Sequence, residues 1–151
     1  MKAVIQRVKQ ASVSVDGRIV GQIQHGLLVF LALAKQDDLA LAQKMLDKIS
    51  KYRIFDDEQG KMGWNVQQAG GNVLLVSQFT LMANTHKGLR PDFAPAMPPQ
   101  QAETLFAQCV EYAQTLFPQL QTGIFAADMQ VSLINDGPVT FILEMHNDVN
   151  D

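Results

Sequence analysis

Residues 73–81 read Val-Leu-Leu-Val-Ser-Gln-Phe-Thr-Leu, and the fold is organised around this stretch. The first four residues form an unbroken apolar run of branched side chains, which is typical of a strand covered on both faces. If the extended conformation continues, Gln78 and Thr80 share one face while Ser77 and Phe79 share the other. Polar groups at the end of a buried strand need hydrogen-bond partners, and either the local backbone or a bound ligand can supply them.

The composition is that of an ordinary globular domain. The chain has 151 residues, of which 47% are hydrophobic and 18% charged, so one core can form without metal or disulfide support. Cys109 is the only cysteine, so neither an internal disulfide nor a zinc site is expected. The N-terminus opens on strand-like sequence instead of a signal segment, and no apolar run approaches the roughly 18 residues of a membrane helix. We expect a cytoplasmic protein with no membrane association.

Charge is distributed unevenly along the chain. All 12 Lys and Arg lie in residues 1–90 together with seven acids, whereas the remainder holds eight acids and no Lys or Arg. The first part therefore carries +5 and the second −8. This division indicates a basic face for a phosphate-bearing partner, or two surfaces that attract each other in an oligomer, or chance segregation on a solvated surface.

Both ends of the chain show strand patterns. Residues 1–9 alternate, and residues 12–15 and 18–23 flank Asp16-Gly17, a hairpin signal because both central residues of a tight primed turn need positive φ. Residues 27–33 predict another apolar strand. Near the C-terminus, residues 129–135 and 139–145 predict two strands, and Asp136-Gly137-Pro138 between them resembles an ordinary hairpin corner.

Two stretches have helical periodicity. After Asp37 and Asp38, which suit an N-cap, apolar residues recur at positions 42, 45, 46, 49 and 52 while lysines 44, 48 and 51 face elsewhere, giving a helix with a basic face. Residues 101–117 form a second helix with an apolar stripe that includes Cys109, and Pro118 ends it. Residues 82–99 have no periodicity and four prolines, so this long loop is a candidate wall of a site.

This order of elements predicts an α+β fold: a largely antiparallel sheet or open barrel with two main helices packed on one side, in a single domain. Residues 1–145 form the domain, and residues 146–151 form an acidic C-terminal tail. The three histidines lack metal-ligand spacing, and no nucleophile elbow, phosphate loop or dinucleotide glycine motif is present. We therefore expect neither a metal nor another cofactor, and a site built from backbone dipoles and hydroxyls.

Seven short motifs, in order along residues 1–143, together resemble the D-aminoacyl-tRNA deacylase family of the D-tyrosyl-tRNA deacylase type. The combination of Ser-Gln-x-Thr with Gly-Pro-x-Thr is specific to that family. The motifs are Gln6-Arg7-Val8, Tyr52-Arg53-Ile54-Phe55, Gly60-Lys61-Met62, Ser77-Gln78-Phe79-Thr80-Leu81, Gly88-Leu89-Arg90-Pro91, Phe125-Ala126-Ala127-Asp128-Met129 and Asn135-Asp136-Gly137-Pro138-Val139-Thr140.

The resemblance implies a cytoplasmic homodimer whose partner is tRNA. Such an enzyme hydrolyses the ester that joins a D-amino acid, or glycine mischarged on tRNA-Ala, to the terminal adenosine. By resemblance the catalytic residues are Ser77, Gln78, Phe79 and Thr80.

The resemblance also assigns the residues that bind the substrate. Phe125 and Met129 help to line the adenosine pocket. Gly137-Pro138 keeps a cis peptide bond and points two carbonyls into the partner subunit's pocket, where they exclude L-amino acids. Arg7 steadies that turn.

An aminoacyl ester is already activated, so backbone N–H groups around Phe79 and Thr80 can stabilise the oxyanion without a strong base. No residue that would deprotonate Thr80 is visible in the sequence, which favours attack by water with help from the substrate's ribose hydroxyl. Two alternatives stay open. A non-catalytic tRNA- or RNA-binding module would bind without turnover, and a Thr-nucleophile hydrolase of small esters or amides would form a covalent intermediate and ignore tRNA.

Overall fold

The computed structural model describes residues 1–147. In that part of the chain two helices and eight strands are present, with one short 3₁₀ turn. The strands are β1 Lys2–Val15, β2 Arg18–Ile23, β3 Gly26–Ala32, β4 Phe55–Asp56, β5 Met62–Trp64, β6 Asn72–Ser77, β7 Gln121–Thr122 and β8 Gln130–Glu144. The helices are α1 Leu39–Lys51 and α2 Pro99–Leu116, and the 3₁₀ turn is Phe79–Met82.

Six of the strands form one mixed sheet that curls into a nearly closed barrel. β1 is antiparallel to β8 along one edge and to β3 and then β2 along the other, while β6 and β7 follow β3 in parallel. β7 returns to β2, where the Gln22 N–H donates to Gln121 Oε1 at 3.3 Å. At this seam a Cβ on Gly21 would lie 2.5 Å from the Thr122 carbonyl oxygen, so the close approach requires glycine.

The predicted α+β fold, with an open barrel and helices on one side, is confirmed. In one respect the strand directions differ from expectation, because β6 is parallel to both of its neighbours. The chain between β3 and β6 contains α1 and the small β4–β5 hairpin, and a crossover of this length returns the chain to start its next strand at the same end.

β6 is buried on both faces, as its apolar run predicts. Val73 and Leu75 belong to the core beneath the two helices. Leu74 and Val76 point into the barrel, where the buried residues all come from strands. Every residue of this run is at most 2% exposed. The sheet therefore separates two cores, and β6 contributes to both.

The hairpin between β1 and β2 is also confirmed, with φ of 51° at Asp16 and 77° at Gly17. The hairpin expected at Gly137 is wrong. Both halves of β8 pair with β1 in the same direction, since Asn135 is opposite Val8 and Thr140 is opposite Gln6. Four residues of β8 thus face a single residue of β1, which makes a wide bulge. Turn-forming residues signal that the chain leaves the ladder, and both bulges and hairpins use them.

The first helix begins as predicted. Asp38 is its N-cap, and Asp38 Oδ1 accepts from the Leu41 N–H at 2.9 Å. Asp37 has a different function: its Oδ2 lies 3.0 Å from the Met1 amine and accepts from the Ala34 N–H at 2.7 Å. Both side chains of this ion pair are buried, with 0% exposure for Met1 and 3% for Asp37. The Met1 amine also donates to the Met145 carbonyl at 2.9 Å.

The second helix starts at Pro99, two residues before its predicted start, and its apolar stripe packs into the helix-side core. Cys109 is completely buried in that stripe, and burial raises the pKa of its thiol to about 12. Residues 148–151 of the expected acidic tail lie outside the described residues. Of the rest, Asn147 Nδ2 donates to the Gln36 carbonyl at 2.8 Å. In the described part of the chain, no helix is long and apolar enough to cross a membrane.

The buried ion pair generates the first testable prediction. Asp37→Asn leaves the Met1 ammonium buried without its counter-charge, and we expect a loss of about 3 to 5 kcal/mol in the free energy of unfolding. Urea denaturation measures this loss. Asp38→Asn is the matched control, because asparagine caps a helix as well as aspartate does. Equal midpoints for the two variants would contradict this account.

Candidate active site

The end of β6 forms one side of the candidate site. The strand ends at Ser77, and the Gln78 N–H makes a last ladder-like bond to the Leu31 carbonyl at 2.9 Å. Because β3 ends one residue later, the chain has no further ladder partner and turns into the 3₁₀ segment Phe79–Met82. The expectation that alternation continues beyond Ser77 is therefore wrong. Gln78 and Thr80 still meet, since Gln78 Nε2 donates to Thr80 Oγ1 at 2.6 Å.

Two backbone donors are available at this strand end. The first N–H groups of a helical turn have no acceptor within the turn. In the described structure the N–H groups of Phe79 and Thr80 have no acceptor, whereas the Leu81 N–H reaches the Gln78 carbonyl at 3.3 Å. Both donors therefore remain for a ligand or water.

The strand end opens into a cleft of about 550 Å³. Ser77, Gln78 and Phe79 line one side, and residues 125–129 line the opposite side. Behind that wall the rings of Phe106 and Phe125 lie 5.9 Å apart. The cleft thus joins a polar strand end to a largely apolar wall, a combination typical of small-molecule binding sites.

The wall formed by residues 125–129 is shaped by its backbone. Ala126 has a φ of 64°, a left-handed conformation that costs a non-glycine residue about 1 kcal/mol or more. Gly123 leaves room for the next part of the wall, because a Cβ there would lie 2.6 Å from Met129 Sδ. Met129 therefore packs directly on the Gly123 backbone.

The proline-rich loop forms the third side, as its lack of periodicity suggested. The residues it supplies are Phe93, Ala96, Met97 and Pro98, and the start of α2 adds Pro99 and Ala102. The rings of Phe79 and Phe93 lie 5.2 Å apart at the exposed mouth. Phe93 and Met97 were not identified from the sequence, which indicated only that the loop as a whole is a candidate wall of a site. His86, Lys87 and Arg90 are instead exposed and are not part of the cleft wall.

The cleft has few ionisable groups. Among the described residues of its wall, Asp128 is the one ionisable side chain. Thr80 Oγ1 has a single hydrogen-bond partner in this part of the chain, the Gln78 amide, which cannot accept its proton. No group of three or more His, Cys, Asp or Glu in residues 1–147 is placed to hold a metal ion.

The structure does not bring all the expected site residues together. Ser77, Gln78, Phe79, Phe125 and Met129 line the cleft, and Thr80 adjoins it through Gln78. Gly137, Pro138 and Arg7 lie elsewhere in the same chain. Arg7 is opposite Leu27 of β3, which is opposite Val73 at the start of β6. Ser77 lies four positions after Val73 in β6, so Arg7 and Ser77 are separated by roughly 13 Å along the strand direction.

Arg7 holds the bulge of β8 at that distant end. Its Nε donates to the Asp136 carbonyl at 2.9 Å, and its Nη1 donates to the Ile54 carbonyl at 2.9 Å. Nη1 also lies 3.4 Å from Asp56 Oδ1. Although charged, the Arg7 side chain is only 10% exposed. One guanidinium therefore ties β1 to β8 and to the chain after α1.

Asn135 closes the bulge from within. Its Oδ1 accepts from the Val139 N–H at 2.7 Å, and its Nδ2 donates to the Val139 carbonyl at 3.1 Å. The exposed tip is Gly137-Pro138, whose peptide bond is cis. At Gly137 the φ is +151°, and a Cβ would lie 2.8 Å from the Val139 nitrogen, so the tip requires glycine.

The fold and the cleft define a class of protein: a small α+β barrel with a largely apolar cleft wall beside two free backbone N–H donors, suited to an activated carbonyl substrate. Comparison with known proteins identifies the family within this class. The model of the family described as D-Tyr-tRNA(Tyr) deacylase matches residues 4–144. The chain therefore belongs to this family, and the prediction of a hydrolase acting on the aminoacyl ester bond is confirmed at the level of the family.

Individual relatives agree with this membership. The chain is 68% identical over 145 residues to a D-aminoacyl-tRNA deacylase of Acinetobacter baumannii (strain AYE), covering 96% of this chain and 99% of the relative. It is 56% identical over 151 residues to a D-aminoacyl-tRNA deacylase of Psychrobacter cryohalolentis, covering 97% of this chain and 100% of the relative.

Two solved structures have the same fold. One, titled c-Myc DNA Unwinding Element Binding Protein, has a TM-score of 0.92 and 40% identity, covering 97% of this chain and 100% of that chain. The other, a probable eukaryotic D-amino acid tRNA deacylase, has a TM-score of 0.85 and 12% identity, covering 95% and 98% of the two chains. At 12% identity the second likeness concerns the fold alone.

The hydrogen bonds of Arg7 generate the second prediction. Arg7→Lys keeps the charge but replaces a two-sided fork with one ammonium, so at least one of the two buried carbonyls loses its donor. We expect a loss of about 2 to 3 kcal/mol in the free energy of unfolding, measured by urea denaturation. The control is Arg18→Lys at an exposed position on β2, expected to change stability by less than about 0.5 kcal/mol. A variant at position 7 as stable as the control would refute the bridging role.

Proposed function

We propose that the chain hydrolyses D-aminoacyl-tRNA, and glycyl-tRNA mischarged on tRNA-Ala, in a cleft completed by Gly137-Pro138 of a second copy. The observation that carries this proposal is the combination of free Phe79 and Thr80 N–H groups with the wall of residues 125–129 in one cleft. The names of the relatives support tRNA as the substrate. We also propose that the protein is cytoplasmic, because its proposed substrate is tRNA.

In this mechanism the terminal adenosine stacks on the wall near Phe125 and Met129. The aminoacyl ester then lies against the end of β6, and its carbonyl oxygen accepts from the two free N–H groups as negative charge develops on it. Water attacks the carbonyl carbon, and the substrate's neighbouring ribose hydroxyl assists. The ester C–O bond breaks, so the amino acid leaves as the free acid and the ribose oxygen recovers a proton.

Thr80 positions the substrate and is not the nucleophile. A threonine hydroxyl needs a base to attack an ester, and the Gln78 amide that contacts Thr80 Oγ1 has no basic nitrogen. Within the described chain no histidine, lysine or carboxylate contacts this hydroxyl. The geometry thus supports water attack over the alternative of a Thr-nucleophile hydrolase.

The second copy is proposed because the Gly137-Pro138 turn and the cleft lie at different ends of the barrel within one chain. Gly137-Pro138 is exposed beside Arg7, at the level where β6 begins, whereas the cleft lies where β6 ends. β8 offers a surface for the partner, since its outer edge is unpaired among the described residues. Ile134 and Ile142 of β8 are 47% and 68% exposed. An isologous dimer would place each turn in the other subunit's cleft.

Chirality is selected by exclusion. Backbone atoms of the partner's turn stand beside the α-carbon of the substrate, where an L side chain would collide with them and a D side chain points away. Glycine has only hydrogen there and is accepted, because a steric wall cannot reject a smaller group. Substitutions of the cleft's side chains therefore change the rate more than the handedness.

The third prediction tests the activity directly. Purified protein should release amino acid from D-tyrosyl-tRNA and glycyl-tRNA at least about 100-fold faster than from L-tyrosyl-tRNA or L-alanyl-tRNA, since a buried collision costs several kcal/mol. Acid precipitation of radiolabelled aminoacyl-tRNA measures the release. Binding of tRNA without release would favour the alternative of a non-catalytic tRNA- or RNA-binding module. Cleavage of L-alanyl-tRNA as fast as glycyl-tRNA would refute selection by exclusion.

The fourth prediction concerns Thr80. Thr80→Ala should lower kcat/KM about 3- to 10-fold, the value of one neutral hydrogen bond, without abolishing activity. Phe79→Pro removes a proposed oxyanion donor at a helical position that tolerates proline, so it should cost about 100-fold or more. Phe79→Ala is its control, because it removes the ring and keeps the N–H. A trapped acyl group on Thr80 would overturn the water mechanism.

The fifth prediction tests the shared site by mixing two inactive variants. Phe79→Pro damages the cleft, and Gly137→Ala damages the turn by placing a Cβ against Val139. If the site is shared across a dimer, random exchange of subunits restores about one quarter of the wild-type sites. If each chain forms its own site, mixing restores nothing. Sedimentation of the wild-type protein should show a dimer, and an active monomer would contradict the proposal.

A further inference from the structure

A basic groove at the carboxyl end of α1 takes no part in the reaction described above. It is a surface depression of about 510 Å³ between the last turn of α1, the residues that follow it and β8. Three cations and two aromatic rings form most of its lining, which consists of Lys48, Lys51, Arg53, Tyr52, Phe141 and Ile54. Lys44 lies one helical turn earlier on the same face and extends the row of cations.

The cations of the basic groove are not neutralised within the described part of the chain. Its ion pairs within 4 Å involve other residues, so Lys44, Lys48, Lys51 and Arg53 have no carboxylate partner there. Asp47 is on the same helix, but its carboxylate accepts from the Tyr112 hydroxyl at 2.5 Å. The positive charge is therefore presented to solvent.

The floor of the groove is aromatic and fixed in place. The rings of Tyr52 and Phe141 meet edge to face, with centroids 5.7 Å apart. Lys48 Nζ lies 5.9 Å from the centre of the Tyr52 ring. At 1.5 Å rise per residue, the three lysines recur about 5 to 6 Å apart along the helix. A row of cations over flat apolar surface complements a ribose-phosphate backbone, which carries charge at short regular intervals and sugars between them.

The basic groove lies at the same end of the barrel as the Gly137-Pro138 turn. Arg53 precedes Ile54, and the Ile54 carbonyl accepts from Arg7 Nη1. The same guanidinium holds the Asp136 carbonyl directly before the turn. A turn that enters the partner's cleft would therefore bring the basic groove to the border of that cleft.

We propose that the basic groove of one subunit binds the phosphate backbone of the tRNA acceptor arm whose 3′ end lies in the other subunit's cleft. The proposal rests on the function proposed above. It assigns binding of the tRNA body to this surface. The cleft handles the terminal adenosine, and the basic groove supplies the salt-dependent part of the affinity.

The test measures binding of uncharged tRNA, so that it is independent of hydrolysis. Each of Lys44→Gln, Lys48→Gln, Lys51→Gln and Arg53→Gln is made alone, and all four are combined. Filter binding over a range of salt concentrations gives the affinity and its salt dependence. The combined variant should bind roughly 10- to 100-fold more weakly, at about two- to threefold for each of the four exposed charge contacts. Its slope of log affinity against log salt should fall by about 3 to 4.

Arg18→Gln is the matched control for a single charge, since Arg18 is exposed on β2 and pairs with Val15 at the far end of β1. It should leave the salt slope as in the wild type. A second readout is the ratio of kcat/KM for D-tyrosyl-tRNA to kcat/KM for a D-tyrosyl ester of adenosine, which should fall 10- to 100-fold in the combined variant. Circular dichroism and sedimentation of each variant confirm its fold and assembly.

Two results would overturn the proposal, and a third would separate it from the proposed function. Single variants that change the salt slope no more than Arg18→Gln does would show that the basic groove does not touch RNA. A loss of the dimer in the combined variant, with equal falls on both substrates, would make the surface an interface between copies. If the wild type binds tRNA with the predicted slope and hydrolyses neither substrate, the proposed function fails while the basic groove remains an RNA-binding surface.

Discussion

The buried guanidinium of Arg7 is the constraint that holds together the end of the barrel opposite the cleft, where β8 forms its bulge. A charge that is 10% exposed is tolerated only with partners, and here two carbonyls and the carboxylates of Asp56 and Asp136 supply them. Those partners come from the bulge of β8 and from the chain that leaves α1. The guanidinium thus sets the position of the Gly137-Pro138 tip relative to the basic groove. Both proposed contributions to a partner subunit, the steric wall and the grip on tRNA, depend on this one side chain.

The topology of the barrel places the Gly137-Pro138 turn and the cleft at different ends of the barrel. β3 and β6 run parallel, so their ends meet at one edge of the sheet, and the cleft forms there between the 3₁₀ turn and the loop before α2. The bulge of β8 lies at the level where β3 and β6 begin, because β1 is antiparallel to both β3 and β8. Strand directions alone therefore separate the turn from the cleft. The proposed second copy is the simplest way to bring the turn and the cleft together, since an isologous interface places each subunit's turn at the other subunit's cleft.

Much of this arrangement is readable from local sequence. The apolar run of β6, the Asp16-Gly17 turn and the periodicity of both helices have short-range causes, and the structure agrees with each. Two features escaped because their causes are long-range. The direction of the chain after Asp136 depends on β1 pairing with both halves of β8, which no local pattern records. Phe93 and Met97 line the cleft because their loop pairs with the residues that follow β3, a long-range contact that no local pattern records.

The sparse chemistry of the cleft follows from the substrate. A wall with one ionisable side chain has little capacity for acid–base catalysis, so it suits a bond that is already close to breaking. An aminoacyl ester is such a bond, and in the proposed mechanism two backbone donors held by the end of a buried strand stabilise its oxyanion without any change of protonation. In the proposed mechanism, the choice between D- and L-aminoacyl substrates depends on which atoms occupy the space beside the substrate's α-carbon. Backbone atoms serve this purpose better than side chains, because they cannot rotate away and no side-chain substitution removes them. In the proposed mechanism, rate and selectivity therefore have separate origins, one in the strand end of each subunit and the other in the turn of its partner.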